Sequence, residues 1–315
     1  MRKIILMVFL IVFFSVSPAS AKEGTLTPSG IPYTELKNRV DEYASQCIGT
    51  STAGANVLIV KDGEIFISTS YGYADIENQI KITPDTVFEW GSVTKLLVWT
   101  SVMQLVEQGK LELNEDIRAY LPDGFLTKLQ YDTPITMLNL MHHDAGWEEK
   151  FTDLFYMSAA EVKPLEEMLH ITEPYQVHEP GAVVAYSNYG VALAGFIVEQ
   201  LTAQPFYDYI NEHIFSVLEM EDTSIHPTQE DNLDVAINRE AVYGYSVNSD
   251  NEFNVSKNER IFIGLYPAGS AIGTIADAAK FMMALMPVEG VTSPLFQNNR
   301  TLNEMLTTSD FYDDG

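Results

Sequence analysis

Apolar residues recur along this 315-residue chain with two different periods, and the change between them separates strands from helices. Leu36, Val40, Tyr43 and Cys47 share one helical face, which predicts an amphipathic helix over 34–47 with Cys47 as a buried, inert thiol. Two β-rich runs, 56–60 and 64–68, flank Lys61-Asp62-Gly63, and Asp-Gly between such runs signals a hairpin. Thr83-Pro84-Asp85 marks a turn. A long apolar run over 92–108, closed by Gly109, reads as a buried helix. Further helices are expected at 137–142, 189–202, 206–218 and 275–286. The stretch 151–179 mixes aromatic and acidic residues with two prolines at weak periodicity, and reads as a loop-rich cover. Residues 231–260 are polar, with short strands expected around 242–247. Early strands followed mainly by helices, without repeats or an interdomain linker, predict an α+β protein.

The amino terminus changes the picture. Arg2 and Lys3 precede an uncharged, largely apolar run at 4–16, and Ala19-Ser20-Ala21 supplies a small-x-small cleavage pattern. Thirteen residues are too few to span a bilayer, which takes about 20. Residues 1–21 are therefore expected to be a cleaved signal peptide, leaving 22–315 as one exported domain with no membrane span. Loss of Arg2 and Lys3 takes the net charge from −26 to −28. Such a surface repels nucleic acid and anionic lipid. The expected partner is a small-molecule or peptide substrate. No cofactor or metal is expected: His142-His143-Asp144 are adjacent, and no further ligand spacing supports them.

Three segments carry candidate chemistry. In Gly91-Ser92-Val93-Thr94-Lys95, Ser92 and Lys95 lie one helical turn apart on one face. A serine hydroxyl needs a nearby base to become a nucleophile, and a desolvated lysine has a lowered pKa. The same letters fit a helix-capping serine beside a snorkelling lysine. Tyr186-Ser187-Asn188 offers a phenol that can act as a general base near a lysine, and an amide able to hydrogen-bond a substrate amide. A turn with an asparagine cap would read alike. Tyr209-Ile210-Asn211 repeats that spacing inside a helix and is read as structural. Pro267-Ala268-Gly269-Ser270 permits close backbone approach to a pocket, or is simply a loop entering a helix. No Gly-x-Ser-x-Gly elbow surrounds Ser92, which disfavours an α/β-hydrolase.

Taken together, these segments resemble the class C β-lactamase and penicillin-binding-protein-like serine hydrolase superfamily. The resemblance rests on 88–95, 104–111, Asp116-Ile117, 141–146, 186–188 and 267–282, in that order. It implies a β-lactamase/DD-peptidase-like fold, with a helical lobe beside an antiparallel sheet. It implies Ser92 as the acylated nucleophile, Lys95 and Tyr186 as catalytic proton handlers, and Asn188, Gly269 and Ser270 as substrate-binding residues. Substrates would be D-alanyl peptides, esters or β-lactams. The superfamily's third motif, Lys or His-x-Gly on a late strand, is not found after 275–286. Lys61-Asp62-Gly63 has the letters but belongs to the early hairpin. The expectation is thus a carboxy-terminally incomplete domain of uncertain activity, or a non-catalytic penicillin-binding or sensory module.

Overall fold

A computed structural model describes residues 26–249, 252–255 and 261–307. The expected signal peptide, 1–21, lies outside the described residues. The chain divides into two compact units between Tyr43 and Ala44, and helix α1 (Tyr33–Cys47) runs across that division. In the first unit a bridge between Leu26 and Pro32 precedes α1, which carries a Lys37–Asp41 pair one turn apart. The apolar stripe of α1 is corrected in part. Leu36, Val40 and Cys47 are only half-buried and Tyr43 is exposed, while Ala44 is buried.

The second unit opens with the expected hairpin. β1 (Gly54–Lys61) and β2 (Glu64–Asp75) pair antiparallel around Asp62 and Gly63, both at positive φ (52° and 78°). That is the tight-turn geometry whose twist matches the strands. β3 (Ile80–Lys81) joins β2, giving the order β1-β2-β3. β1 has every residue half-buried, so neither face of the ribbon is fully covered by the described residues. β4 (Phe88–Glu89) belongs to a second small sheet, described below.

The hydrophobic core lies among the helices. α2 (Lys95–Glu107) buries Leu97, Val98, Val102, Met103 and Leu105, and packs on α5 (Asn188–Thr202). α5 is buried on nearly all sides from Tyr189 to Val198, as a helix at a domain centre must be. Between them in sequence come α3 (Met137–His142), β5 (Phe155–Tyr156) and α4 (Leu165–Thr172). α6 (Phe206–Ile210) runs on into a π-turn at Asn211–Phe215. β6 (Thr223–Ser224), α7 (Leu233–Glu240), β7 (Tyr245–Val247), β8 (Phe253–Val255), β9 (Phe262–Ile263), β10 (Ile272–Gly273), α8 (Ile275–Leu285) and α9 (Asn299–Leu306) complete the unit. β10 pairs antiparallel with both β4 and β6, while β5 pairs with β9.

The 92–108 helix begins later than expected. Gly91–Thr94 forms a 3₁₀ turn, and the α-helical part starts at Lys95. Its end matches expectation: Gly109 N–H donates to Val106 O and Lys110 N–H to Leu105 O, the paired closure of a Schellman cap. The 151–179 cover is not only loop, because α4 crosses it with Leu165, Met168, Leu169 and Thr172 buried on one face. Tyr209 is structural: its buried hydroxyl donates to Gln104 Oε1 at 3.1 Å, and burial pushes its pKa up to about 12.

Candidate active site

Three separate segments meet at Ser92. The 3₁₀ turn places Ser92 Oγ at the exposed start of α2 and turns Lys95 inward, where it is 5% exposed. Lys95 Nζ donates to Ser92 Oγ at 3.1 Å, Asn188 Oδ1 at 2.9 Å and Ala268 O at 2.6 Å. All three ammonium protons thus have acceptors. Tyr186 Oη donates to Ser92 Oγ at 2.6 Å, and Lys95 Nζ lies 4.8 Å from the centre of the Tyr186 ring. Burial pulls the Lys95 pKa below the usual lysine range, while Tyr186 and Glu149 partly hold it up.

The chain around Tyr186 is tied to the end of α3. Asn139 and Thr136 form a reciprocal cap at the start of α3, and Asn139 Nδ2 donates to Asp144 Oδ1 at 2.9 Å. His143 stands in the left-handed region (φ 58°) at the other end. Its carbonyl accepts from Ala185 N–H at 2.7 Å, and its Nδ1 accepts from Ser187 N–H at 3.2 Å. Its ring lies 4.6 Å from that of Tyr186. Ser187 Oγ then accepts from Gly190 N–H and caps α5. Burial, and then the Lys95 charge, lower the His143 pKa, with Asp144 partly offsetting them. A neutral imidazole is the form that can accept from Ser187.

Gly146 makes the next turn possible. Its φ is +85°, and a Cβ there would fall 2.0 Å from the His178 carbonyl oxygen. The Gly146 carbonyl accepts from both Val177 and His178 N–H, fixing the start of the irregular segment that leads to Tyr186. Three residues on, Glu149 accepts from Asn188 Nδ2 at 2.7 Å and from Asn188 N–H at 3.1 Å.

The third segment is seated from below. Gly195 of α5 lets Pro267 pack so closely that a Cβ would lie 2.9 Å from the Pro267 ring. Tyr266 Oη donates to the half-buried Glu199 at 3.0 Å, which anchors the Tyr266–Ala268 turn and hence the Ala268 carbonyl at Lys95. Ala271 N–H donates to Thr94 Oγ1 and Ala271 O accepts from Trp90 N–H, so 269–271 lie alongside 90–94. A Cβ at Gly269 would stand 3.0 Å from Ile263 Cδ1 and 3.9 Å from the Gly91 carbonyl. Ser270 Oγ is buried, with no hydrogen-bond partner among the described residues.

The six residues singled out in the sequence therefore converge in two ways. Ser92, Lys95, Tyr186 and Asn188 form one hydrogen-bonded cluster, while Gly269 and Ser270 flank it through the backbone. His143, Glu149 and the Ala268 carbonyl also belong to the cluster's surroundings and had not been singled out for it. In the sequence His143 belongs to the 141–146 part of the resemblance and to the His142-His143-Asp144 run, with no role of its own at Ser92. Lys61-Asp62-Gly63 stands in the β1–β2 turn.

The sequence model of the Beta-lactamase family matches residues 39–310. The chain belongs to that family. "Protein flp" of Staphylococcus aureus (strain MW2) is 28% identical over 202 residues, covering 64% of this chain and 41% of that protein. N-acetylmuramyl-L-alanine amidase of Bacillus subtilis (strain 168) is 29% identical over 214 residues, covering 62% and 48%. The chain thus spans less than half the length of these curated relatives. The solved structure of D-amino acid amidase from Ochrobactrum anthropi SV3 superposes with a TM-score of 0.67 at 27% identity, over 86% of this chain and 72% of that one. The fold is that of the β-lactamase/DD-peptidase-like members, and at a coarse level the family is one of hydrolases. Among the described residues no helix is long and apolar enough to cross a membrane.

Proposed function

We propose that the chain is an exported serine hydrolase that transfers an acyl group to Ser92 and then to water. The observation that carries this reading is an exposed Ser92 hydroxyl held between Tyr186 Oη at 2.6 Å and a buried Lys95 Nζ at 3.1 Å. Two of Lys95's three directions are taken by carbonyl oxygens, of Asn188 and Ala268. When Lys95 is neutral, its two N–H groups serve those carbonyls and its lone pair is left facing Ser92 Oγ.

From that geometry the steps follow. Ser92 Oγ attacks the substrate carbonyl carbon as its proton passes to Lys95 Nζ, giving a tetrahedral oxyanion. The Ser92 N–H lies at the start of a helix, where partial positive charge favours that oxyanion. Tyr186 gives its phenolic proton to the leaving nitrogen or oxygen as that bond breaks, and Lys95 restores it. Water repeats the sequence in reverse on the acyl-enzyme. Asn188 retains one amide N–H for the substrate, and the Gly269 backbone lies alongside. Substrates of this reading are D-alanyl peptides, other amides, esters or β-lactams; the amidase names among the relatives favour an amide. Export rests on the leader-like residues 1–21.

A second reading, a module that binds such ligands with little or no turnover, is favoured by one observation: Lys61-Asp62-Gly63, with the letters of the third motif, lies in the hairpin turn. Intact-protein mass spectrometry after exposure to a penicillin, beside turnover of D-alanyl amides and esters, separates the two. The hydrolase reading requires an adduct or turnover that disappears in a folded Ser92→Ala variant. Saturable binding by the folded protein with neither would establish the second.

A further inference from the structure

The Asn188 side chain has a donor end and an acceptor end, and the neighbours it meets differ sharply in what they can do. A carboxylate only accepts hydrogen bonds and an ammonium only donates them. Glu149 lies at the Nδ2 end and at the backbone N–H, 2.7 and 3.1 Å away, so one carboxylate clamps a single residue at two points. The Oδ1 end is then the one presented to Lys95, 2.9 Å from Nζ. Reversing the amide would set Oδ1 against Glu149 and Nδ2 against Lys95, opposing acceptor with acceptor and donor with donor. Both charged neighbours therefore favour the same orientation, and Glu149 enforces it from outside the Ser92–Lys95 pair.

We propose that Glu149 is a positioning residue for this site: it locks the Asn188 amide with its carbonyl toward Lys95 and supplies the negative charge that balances Lys95. The catalytic consequence rests on the acyl-transfer reading above, but the electrostatic one does not. The titratable groups facing Lys95 are Tyr186, Glu149 and His143, while the Tyr266–Ala268 turn contributes a carbonyl only. Glu149 and Tyr186 favour the Lys95 ammonium, and the positive end of Lys95 disfavours a second cation on His143. A glutamine at 149 has the same length but only one accepting oxygen, so it cannot serve both Asn188 donors with the same strength. It also carries no charge. Both losses disfavour the Lys95 ammonium, and they act in the same direction.

The alternative is that Glu149 merely caps the first turn of α5, where an acid is favourable in any helix. Such a role would lower stability without touching Lys95. The test is a ¹³C titration of the Lys95 Cε resonance in the whole chain, assigned with Lys95→Arg, in wild type and Glu149→Gln. Beside it runs the pH profile of Ser92 acylation by a penicillin, or of whichever amide or ester is turned over. Glu149→Gln is expected to move the Lys95 titration to lower pH by about one unit, as loss of a close opposite charge does. The acid limb of the acylation profile should move with it, and the alkaline plateau should fall roughly tenfold as the amide loses its fixed orientation. Glu149→Asp keeps the charge and withdraws it by one methylene, so its titration should stay closer to wild type while its plateau falls. It serves alone if the glutamine variant does not fold. An unmoved Lys95 titration in folded Glu149→Gln, or in Glu149→Asp an unchanged plateau, overturns the proposal. If no variant, wild type included, forms an adduct or turns over substrate, the acyl-transfer reading fails while the titration still decides the role of Glu149.

Discussion

Replacing Tyr186 by phenylalanine removes one oxygen from the site and very little else. The phenol is 48% exposed, and its hydroxyl reaches Ser92 Oγ at 2.6 Å. The ring, tilted against His143 at 4.6 Å and 4.8 Å from Lys95 Nζ, is retained by phenylalanine. Losing a half-exposed hydroxyl leaves no buried group unsatisfied, because Ser92 remains open to water, so stability should change by less than about 0.5 kcal/mol. The proton-transfer role is another matter. A positioned general acid or base is worth about 10²–10⁴ in rate, or roughly 3–5 kcal/mol at 1.36 kcal/mol per decade. The expected result is acylation of Ser92 slowed at least a hundredfold with an unchanged melting temperature. The direct assay is the time course of the acyl adduct by intact mass, paired with thermal unfolding. A Tyr186→Phe protein that acylates at the wild-type rate would refute the assignment of the phenol, and with it the proton route drawn through Tyr186.

Other consequences follow from the same geometry. In wild type the rate of Ser92 acylation should rise as pH increases through the lowered Lys95 pKa, because only the neutral amine can accept the serine proton; a rate that falls over that range contradicts the base assignment. Gly146→Ala forces a side chain at φ +85° into the His178 carbonyl, and should cost more than about 2 kcal/mol in urea unfolding, whereas an unchanged midpoint would show that this turn is not under the constraint described. His143 has a folded pKa below its unfolded value near 6.5, so as pH falls the unfolded chain takes up its proton first. Its contribution to stability is complete above about 6.5 and is lost as pH falls through the folded value. Urea midpoints from pH 7 to 5 should therefore decline less steeply in His143→Asn, a residue that tolerates the left-handed backbone at 143.

The parts of the site that are local in sequence could be read from it. Ser92 and Lys95 are three residues apart, so one helical turn brings them together whatever the rest of the chain does. The Asp62-Gly63 hairpin and the Gly109 cap are equally local. His143, Glu149 and Ala268 escaped because their roles depend on contacts 44, 39 and 173 residues away, and Ala268 acts through a carbonyl that every residue carries. Three helices, α4, α7 and α9, escaped, the first two for different reasons. In α4 the buried positions Leu165, Met168, Leu169 and Thr172 do keep helical spacing, but the element is only eight residues long and Glu166, Glu167 and His170 break up its apolar signal. In α7 the visible apolar residues mislead: Leu233 and Ile237 face solvent, while Val235 and Arg239 face inward. Arg239 is buried there because it donates to Gln229 Oε1, the Glu89 carboxylate and the Ile261 carbonyl, none of which sequence spacing announces.

The uneven covering of the β1–β2 ribbon bears on how the molecule comes apart. From Leu97 to Leu105 of α2 and from Tyr189 to Val198 of α5 every residue is buried, whereas on β1 none is and on β2 only Ile67, Ala74 and Asp75 are. Backbone hydrogen bonds in such a ribbon can open without dismantling the helices. Amide hydrogen exchange should accordingly show two tiers, with 54–75 exchanging through a low-energy local opening and 97–105 and 191–198 only on global unfolding. The site stands on the slow tier through Lys95 and Asn188, so the ribbon can breathe while the Ser92 cluster keeps its geometry.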